Sequence, residues 1–197
     1  MSVRSIFRNK RLVAAASVPV AVVASGALVW QSSYSAFSAT TSNPTNNWTS
    51  GTVALSDNDA GTALFTATNL KPGATDTKCV NVTSTGSLAS TVKLYGTSYA
   101  TTNALADVIA LKVEEGTGAT NAACAGFTGG TTLYDGTVKD FAGAKTSFAT
   151  GVSSWAPTGT ASETKSYRVT YTLSSTAPNT AQGGTAALGF TWEAQNS

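Results

Sequence analysis

The stretch Lys165-Ser166-Tyr167-Arg168-Val169-Thr170-Tyr171-Thr172-Leu173 decides the fold class, because its apolar residues recur at every second position. Tyr167, Val169, Tyr171 and Leu173 then share one face of a β-strand, and the polar residues between them share the other. A strand that is apolar on one face needs a second layer to cover that face. The stretch therefore predicts a sheet packed in a sandwich.

Shorter stretches with strand character lie on both sides of this one and are separated by turns rich in Gly, Pro, Asn and Asp. The further predicted strands are Thr52–Leu55, Ala63–Thr66, Thr77–Thr83, Ala89–Tyr95, Val108–Glu114, Thr132–Tyr134 and Thr185–Glu193. One short helix is expected over Val138–Lys145, with Phe141 as its apolar anchor. The prediction is an all-β protein: an antiparallel β-sandwich of jelly-roll type with eight or nine strands, one short helix and an N-terminal signal helix.

The register of Thr77–Thr83 stays open at this point. Val80 and Val82 lie on one face and are expected to point into the core. Cys79 lies on the other face, although a disulfide would draw it inward.

The N-terminus has the pattern of a secretory signal peptide. Four basic residues lie within residues 1–11, and an apolar run of 19 residues follows, Leu12–Trp30. Ser33 and Ser35 then occupy the −3 and −1 positions of a cut before Ala36. The run is long enough to span a bilayer, so a retained membrane anchor is the competing interpretation. Cleavage is favoured, and the expected location is extracellular, in a matrix or at the cell surface.

Composition excludes several classes of function. Only 11% of residues are charged, and the eight basic residues that follow the N-terminal cluster face ten acidic ones, a net charge of −2. That balance provides no basic surface for nucleic acid. The chain has no histidine, which excludes His-dependent triads and His-ligated zinc.

Cys79 and Cys124 are the only two cysteines. In an exported chain they are expected to form a disulfide, and closing a loop of about 46 residues is worth roughly 4 kcal/mol in the loop-entropy model. Two buried free thiols are the alternative.

Three other patterns suggest chemistry only weakly. Asp57–Gly61 resembles the start of a calcium loop, but Thr68 stands where an EF-hand needs glutamate, so a solvated turn is favoured over a weak cation site. Glu114 and Glu115 are adjacent and point to opposite faces of a strand, so they cannot act as a carboxylate pair. We predict no catalytic, cofactor-binding or metal-binding residue, and no enzyme activity.

Tryptophans offer one further candidate site. Trp48, Trp155 and Trp192 could form a platform on which sugars stack, or they could close the ends of a sandwich core. The core interpretation is favoured.

Several motifs together resemble the TasA/camelysin family of secreted proteins. The first is Ser35-Ala36-Phe37-Ser38-Ala39-Thr40-Thr41-Ser42-Asn43, followed by Trp48-Thr49-Ser50-Gly51-Thr52-Val53-Ala54-Leu55. The second is Leu70-Lys71-Pro72-Gly73 followed by Val80-x-Val82-x-x-Thr85-Gly86-Ser87-Leu88, with Ser84 where asparagine is usual. The third is Ala177-Pro178-Asn179-x-x-Gln182-Gly183, with Phe190-Thr191-Trp192-Glu193-Ala194 at the end.

The resemblance implies a jelly-roll fold, export through a SipW-type signal peptidase and assembly into extracellular fibres of a biofilm matrix. The processed N-terminus of one subunit would complete the sheet of the next in a head-to-tail homopolymer, with minor subunits as further partners. The donor strand would be Ala36, Phe37, Ser38, Ala39, Thr40 and Thr41. The chain then divides into a signal peptide (1–35), a donor segment with its linker (36–47) and a sandwich domain (48–197).

Two alternatives remain at this stage. The first is a cell-surface adhesin or carbohydrate-binding module that uses the aromatic residues and loops. The second is a metallo-endopeptidase, a label that camelysin-type proteins carry. The absence of histidine makes the second interpretation the weaker one.

Overall fold

The computed structural model describes residues 38–40, 52–120, 122–153 and 155–196, with residues 38–40 as backbone. The predicted signal peptide lies outside the described residues, as does Trp48. The strands are β1 (Ser38–Thr40), β2 (Leu55–Asp57), β3 (Thr75–Ser84), β4 (Ser90–Thr101), β5 (Ile109–Thr117), β6 (Thr128–Thr137), β7 (Glu163–Leu173) and β8 (Ala186–Asn196). The α-helix α1 spans Val138–Ala144.

Two antiparallel layers pack against each other. Five strands form one sheet in the order β2-β3-β7-β5-β6, and β4 pairs with β8 in the other layer, where the short β1 lies beside β8. Seven of the strands fall between residues 52 and 196 of the described chain. The mostly-β, antiparallel prediction with one short helix is therefore confirmed.

The stretch Lys165–Leu173 forms most of β7, the central strand of the larger sheet. β7 pairs with β3 from Thr172 opposite Thr75 to Glu163 opposite Ser84, and with β5 on its other side. Tyr167, Val169 and Leu173 are buried as the alternation predicts, because their face of β7 packs against the other layer.

The structure settles the register of β3. Val80 and Val82 are fully buried in the core between the layers. Cys79 lies on the opposite face of the same strand, where the loop between β5 and β6 covers it through the disulfide to Cys124. The predicted disulfide is confirmed. Cys79 and its neighbouring valines are all buried because different parts of the chain cover the two faces of β3.

The helix forms where the sequence predicts it. Thr137 caps its N-terminus by accepting a hydrogen bond from Asp140 N–H (3.1 Å). Phe141 is fully buried and makes edge-on contacts with Tyr134 and Phe190, at ring-centroid distances of 4.9 and 5.9 Å. The helix thus closes one end of the core.

Three strand predictions differ from the structure. The strand expected over Thr52–Leu55 begins only at Leu55, because Thr52 and Ala54 accept hydrogen bonds from the turn after β3. No strand forms at Ala63–Thr66, because Leu64 and Phe65 anchor the segment individually while its backbone stays irregular. Phe65, for example, packs edge-on against Tyr171 at 5.0 Å. The predicted Thr132–Tyr134 strand is instead the ten-residue β6, which pairs with β5 across two register shifts.

The described residues contain no helix that is both long and apolar enough to cross a membrane.

Candidate strand-accepting edge

One edge of β8 is the feature that best fits a functional role. Its other edge pairs with β4 along the strand, from Ala186 opposite Thr101 to Asn196 opposite Ser90. The outer edge carries β1 antiparallel over three residues, with Ser38 opposite Gln195, Ala39 opposite Ala194 and Thr40 opposite Glu193. Among the described residues, no strand pairs with the outer edge of β8 from residue 186 to residue 192.

The open part of this edge borders a cleft of about 1190 Å³. The side chains at its base belong to the hydrophobic core and are apolar: Ile109, Leu111, Leu173, Phe190 and Trp192. Residues of the irregular segment 61–72 and of the stretch 177–190 also line the cleft. An open strand edge beside an apolar cleft can accept both main-chain hydrogen bonds and side chains from an extended segment.

Polar groups lie at the mouth of the cleft, among them Asp57, Asp59 and Lys71. Burial raises the pKa of the Asp57 carboxyl above its ordinary value, and the neighbouring Asp59 carboxylate raises it further. The turn after β2 is closed by Thr62 N–H, which donates to the Asp59 carbonyl (3.0 Å). Asp57 is the last residue of β2, and the residues that follow it, 58–61, form the turn that the sequence favoured.

The C-terminal half of β8 is held firmly on its outward face. Glu193 accepts a hydrogen bond from the Tyr95 hydroxyl (2.9 Å) and another from Gln195 Nε2 (2.8 Å). Burial and the Glu193 carboxylate together raise the pKa of Tyr95 to about 12. The residues that face β1 therefore lie on a well-fixed strand.

The predicted donor strand is partly within the described chain. Ser38, Ala39 and Thr40 form β1 and lie on the β8 edge. Ala36, Phe37 and Thr41 lie outside the described residues, as do the predicted cleavage residues Ser33 and Ser35.

The tryptophans that could stack on sugars occupy the core. Trp155 and Trp192 are 4% and 3% exposed. Trp192 packs against Tyr167 at a ring-centroid distance of 5.3 Å. Neither presents a free ring face to solvent, in line with the core interpretation.

The adjacent glutamates point to opposite faces of β5, as predicted, and each has its own partners. Glu114 accepts a hydrogen bond from Arg168 Nε (2.7 Å) and contacts Lys112 Nζ (3.0 Å). The bond from Arg168 lowers the pKa of Glu114, against an opposing effect of burial.

Sequence reasoning missed the buried polar cluster around the second glutamate. Glu115 accepts a hydrogen bond from the Ser153 hydroxyl, and the Tyr167 hydroxyl lies 3.4 Å from the same Ser153 oxygen. Lys93 Nζ donates to the Ser153 carbonyl (2.9 Å). These four residues are far apart in the sequence, so no local motif could have joined them.

No three Cys, Asp or Glu side chains converge to form a metal-binding group within the described part of the chain. Comparison of the chain with models of known protein families and with characterised proteins finds no match.

Proposed function

We propose that this protein is a secreted structural subunit of extracellular biofilm-matrix fibres, and that it polymerises by exchanging its N-terminal strand between copies. In the fibre, residues 36–41 of one subunit lie on the outer edge of β8 of the next. The main observation behind the proposal is that Ser38–Thr40 pairs antiparallel with an edge of β8, and that this edge continues beside an apolar cleft.

The contact in the single chain and the contact in the fibre are the same pairing made by different chains. Their main-chain hydrogen bonds are therefore equivalent, and only chain entropy and added contacts distinguish the two arrangements. A tethered strand has an effective concentration in the millimolar range, which favours the closed single chain at low protein concentration. Growth of the fibre consequently needs contacts beyond the three paired residues.

The rest of the β8 edge can supply those contacts, because in the same register the segment after the donor strand, residues 42–47, would lie along residues 186–191. The seven residues from 186 to 192 extend the edge by about 24 Å at a strand rise of about 3.4 Å per residue. The cleft below them is lined by apolar side chains that an incoming segment would cover. Burying such surface is worth about 25 cal/mol per Å², so even a few side chains would shift the balance toward the assembled form.

An exchange of this kind is heterologous, because the strand and the edge are different surfaces of the subunit. Such contacts propagate head to tail and do not close on themselves. In this proposal the sandwich is a jelly roll, and removal of residues 1–35 by a SipW-type peptidase frees the strand for exchange. This agrees with the TasA/camelysin resemblance.

Electron microscopy of two purified chains tests the proposal. A chain starting at Ala36 should form filaments above a critical concentration. A chain starting at Asn43 lacks the donor strand and should remain monomeric under the same conditions. Equal filament formation by both chains would overturn the strand-exchange mechanism.

Cross-linking then locates the contact. Ser38 lies opposite Gln195 in the register of β1 and β8. The double variant Ser38→Cys/Gln195→Cys should give monomers with an internal disulfide before assembly and a ladder of linked subunits after assembly, on a gel without reductant. Ser38→Cys/Thr191→Cys places the second cysteine out of register and is the matched control. Fibres that dissolve in detergent to give only monomers of the first variant would place the strand elsewhere.

A further inference from the structure

The contacts that cover the outer edge of β3 differ from those on the outer edge of β8. Its partner β2 covers only Val82–Ser84. Three backbone N–H groups next to that region point outward, and each has a partner that is not a strand. Thr77 N–H donates to Asp76 Oδ1 (2.8 Å), Cys79 N–H to the Ala122 carbonyl (2.9 Å) and Asn81 N–H to Asn58 Oδ1 (2.8 Å).

The middle of these three contacts comes from the loop between β5 and β6, whose tip is covalently attached to the strand that it covers. Ala122 lies two residues before Cys124, and Cys124 is bonded to Cys79. The disulfide therefore fixes the Ala122 carbonyl at the amide of Cys79. Side chains at the tip add little burial, since Ala122 and Ala123 are exposed.

The base of the same loop is held independently of the disulfide. Asn81 Nδ2 donates to the Ala119 carbonyl (2.7 Å), and Ala119 N–H donates to Ser166 Oγ (3.1 Å). At the other end of the loop, the Phe127 ring lies 4.4 Å from the Arg168 guanidinium. Breaking the disulfide would thus release the tip and leave the base in place.

An uncovered β3 edge is suited to pairing with a second copy of itself. If two β3 strands lie antiparallel with Thr77 opposite Thr77, Asp76 of each chain faces Lys78 of the other. These two residues already form an ion pair within one chain (3.6 Å), so their charges are available on the same face of the strand. Opposite charges at directly facing positions stabilise an antiparallel pair.

We propose that the Cys79–Cys124 disulfide keeps the β3 edge covered, and that its reduction allows two copies of the chain to pair through β3. The reaction is exchange with a dithiol: the dithiol gives two electrons and two protons, is oxidised to its own disulfide, and leaves Cys79 and Cys124 as thiols. Loss of the Ala122 contact then exposes the Cys79 amide on an open edge. This proposed pairing through β3 is independent of the β8 edge, because β8 belongs to the other layer.

Hydrogen exchange on the full chain gives the first test. At a protein concentration low enough to keep the reduced chain monomeric, reduction with dithiothreitol should speed exchange of the Cys79 amide by about tenfold or more, as expected for loss of one hydrogen bond. The amides of β7 at Val169 and Thr170 should stay protected. An unchanged Cys79 rate would overturn the proposal. Loss of protection throughout β7 would also overturn it, since the disulfide would then maintain the fold as a whole.

Cross-linking gives the second test. In a Cys79→Ser/Cys124→Ser background, Thr77→Cys should yield a covalent dimer on mild oxidation. Thr83→Cys is the matched control, because it lies on the same face of β3 but in the part that β2 covers. A monomeric Thr77→Cys chain, or equal dimer formation at both positions, would refute β3 pairing. Neither result bears on the N-terminal strand, so this test and the filament test fail separately.

Discussion

Replacing Tyr167 with phenylalanine should flatten the loss of stability that the protein undergoes between about pH 10 and about pH 12. The Tyr167 hydroxyl belongs to a side chain with 0% exposure, in the core between the layers. Burial raises its pKa far above the ordinary value of 10.0, and the negative charge of Glu115 raises it further. In the unfolded chain this tyrosine therefore ionises at a pH at which it is still neutral in the folded chain.

The sign and size of the effect follow from proton linkage. Above about pH 10 the unfolded state binds fewer protons than the folded state, so stability falls as pH rises. One tyrosine that stays neutral in the fold contributes a slope of about 1.4 kcal/mol per pH unit. Over about two pH units, Tyr167 alone should remove about 3 kcal/mol from the unfolding free energy.

Urea unfolding followed by tryptophan fluorescence, at a series of pH values, measures the effect directly. Tyr167→Phe loses the contact of the hydroxyl with Ser153 Oγ (3.4 Å) and its hydrogen bond with Glu115, so it should cost about 2 kcal/mol at neutral pH. It should then become the more stable protein by about pH 12. Equal slopes for the wild type and Tyr167→Phe above about pH 10 would refute the reasoning. Recovery of the neutral-pH signal after each measurement controls for chemical damage at high pH.

Three further substitutions should have effects of defined sign. Ser90→Ala should stabilise the protein by about 1 kcal/mol, because the Ser90 hydroxyl is buried without a hydrogen-bond partner in the described structure. Glu114→Gln should lower the unfolding free energy by about 1–2 kcal/mol at neutral pH, because it weakens the hydrogen bond that Arg168 donates. That hydrogen bond lowers the pKa of Glu114, so the difference in stability should shrink as the pH falls through this pKa. Gly159→Ala should cost about 2–3 kcal/mol, because φ there is +72° and a Cβ would overlap the Leu88 carbonyl carbon.

Thermal or chemical unfolding measures all three, and each has a clear contrary result. A destabilised Ser90→Ala would mean that the hydroxyl makes a useful bond after all. A cost of Glu114→Gln that is the same at acid and neutral pH would show that charge is irrelevant at that position. Gly61→Ala is the matched control for Gly159→Ala: its φ is +76°, but nothing lies within 4 Å of its Cβ, so it should cost only about 1 kcal/mol.

Periodicity in the sequence predicted the buried faces well. Val80 and Val82 were expected to point inward, and both are fully buried. Each belongs to a stretch in which apolar and polar residues alternate. The alternation of side chains across a strand is a local property of the chain, so it can be read without knowing the neighbouring strands.

Predictions failed where residues do not alternate. Ala63–Thr66 has apolar residues in succession, and the structure uses two of them as anchors of an irregular segment. The length of β6 was underestimated because its first part, Thr128-Gly129-Gly130-Thr131, has no apolar side chain and pairs with β5 through its backbone. Backbone pairing of this kind leaves no periodic signal in the side chains.

The candidate site was predictable only in part. Residues 36–41 were predicted as a donor strand from a resemblance, and the structure places Ser38–Thr40 on β8. The outer edge of β8 and the cleft beside it could not have been predicted, because the lining residues come from segments between residue 57 and residue 192. The same is true of the Ala122 contact that covers β3.

The sequence by itself determined the class of this protein: strands with one apolar face, a short helix anchored by Phe141, and two cysteines suited to a disulfide. Tertiary structure alone decided which strands end up as edges and what covers each edge. The physical reason is that alternation, capping and turns depend on residues close together in the chain. An edge is defined by its neighbours in space, so the β8 edge that carries β1 and the β3 edge that Ala122 contacts exist only once the two layers have formed.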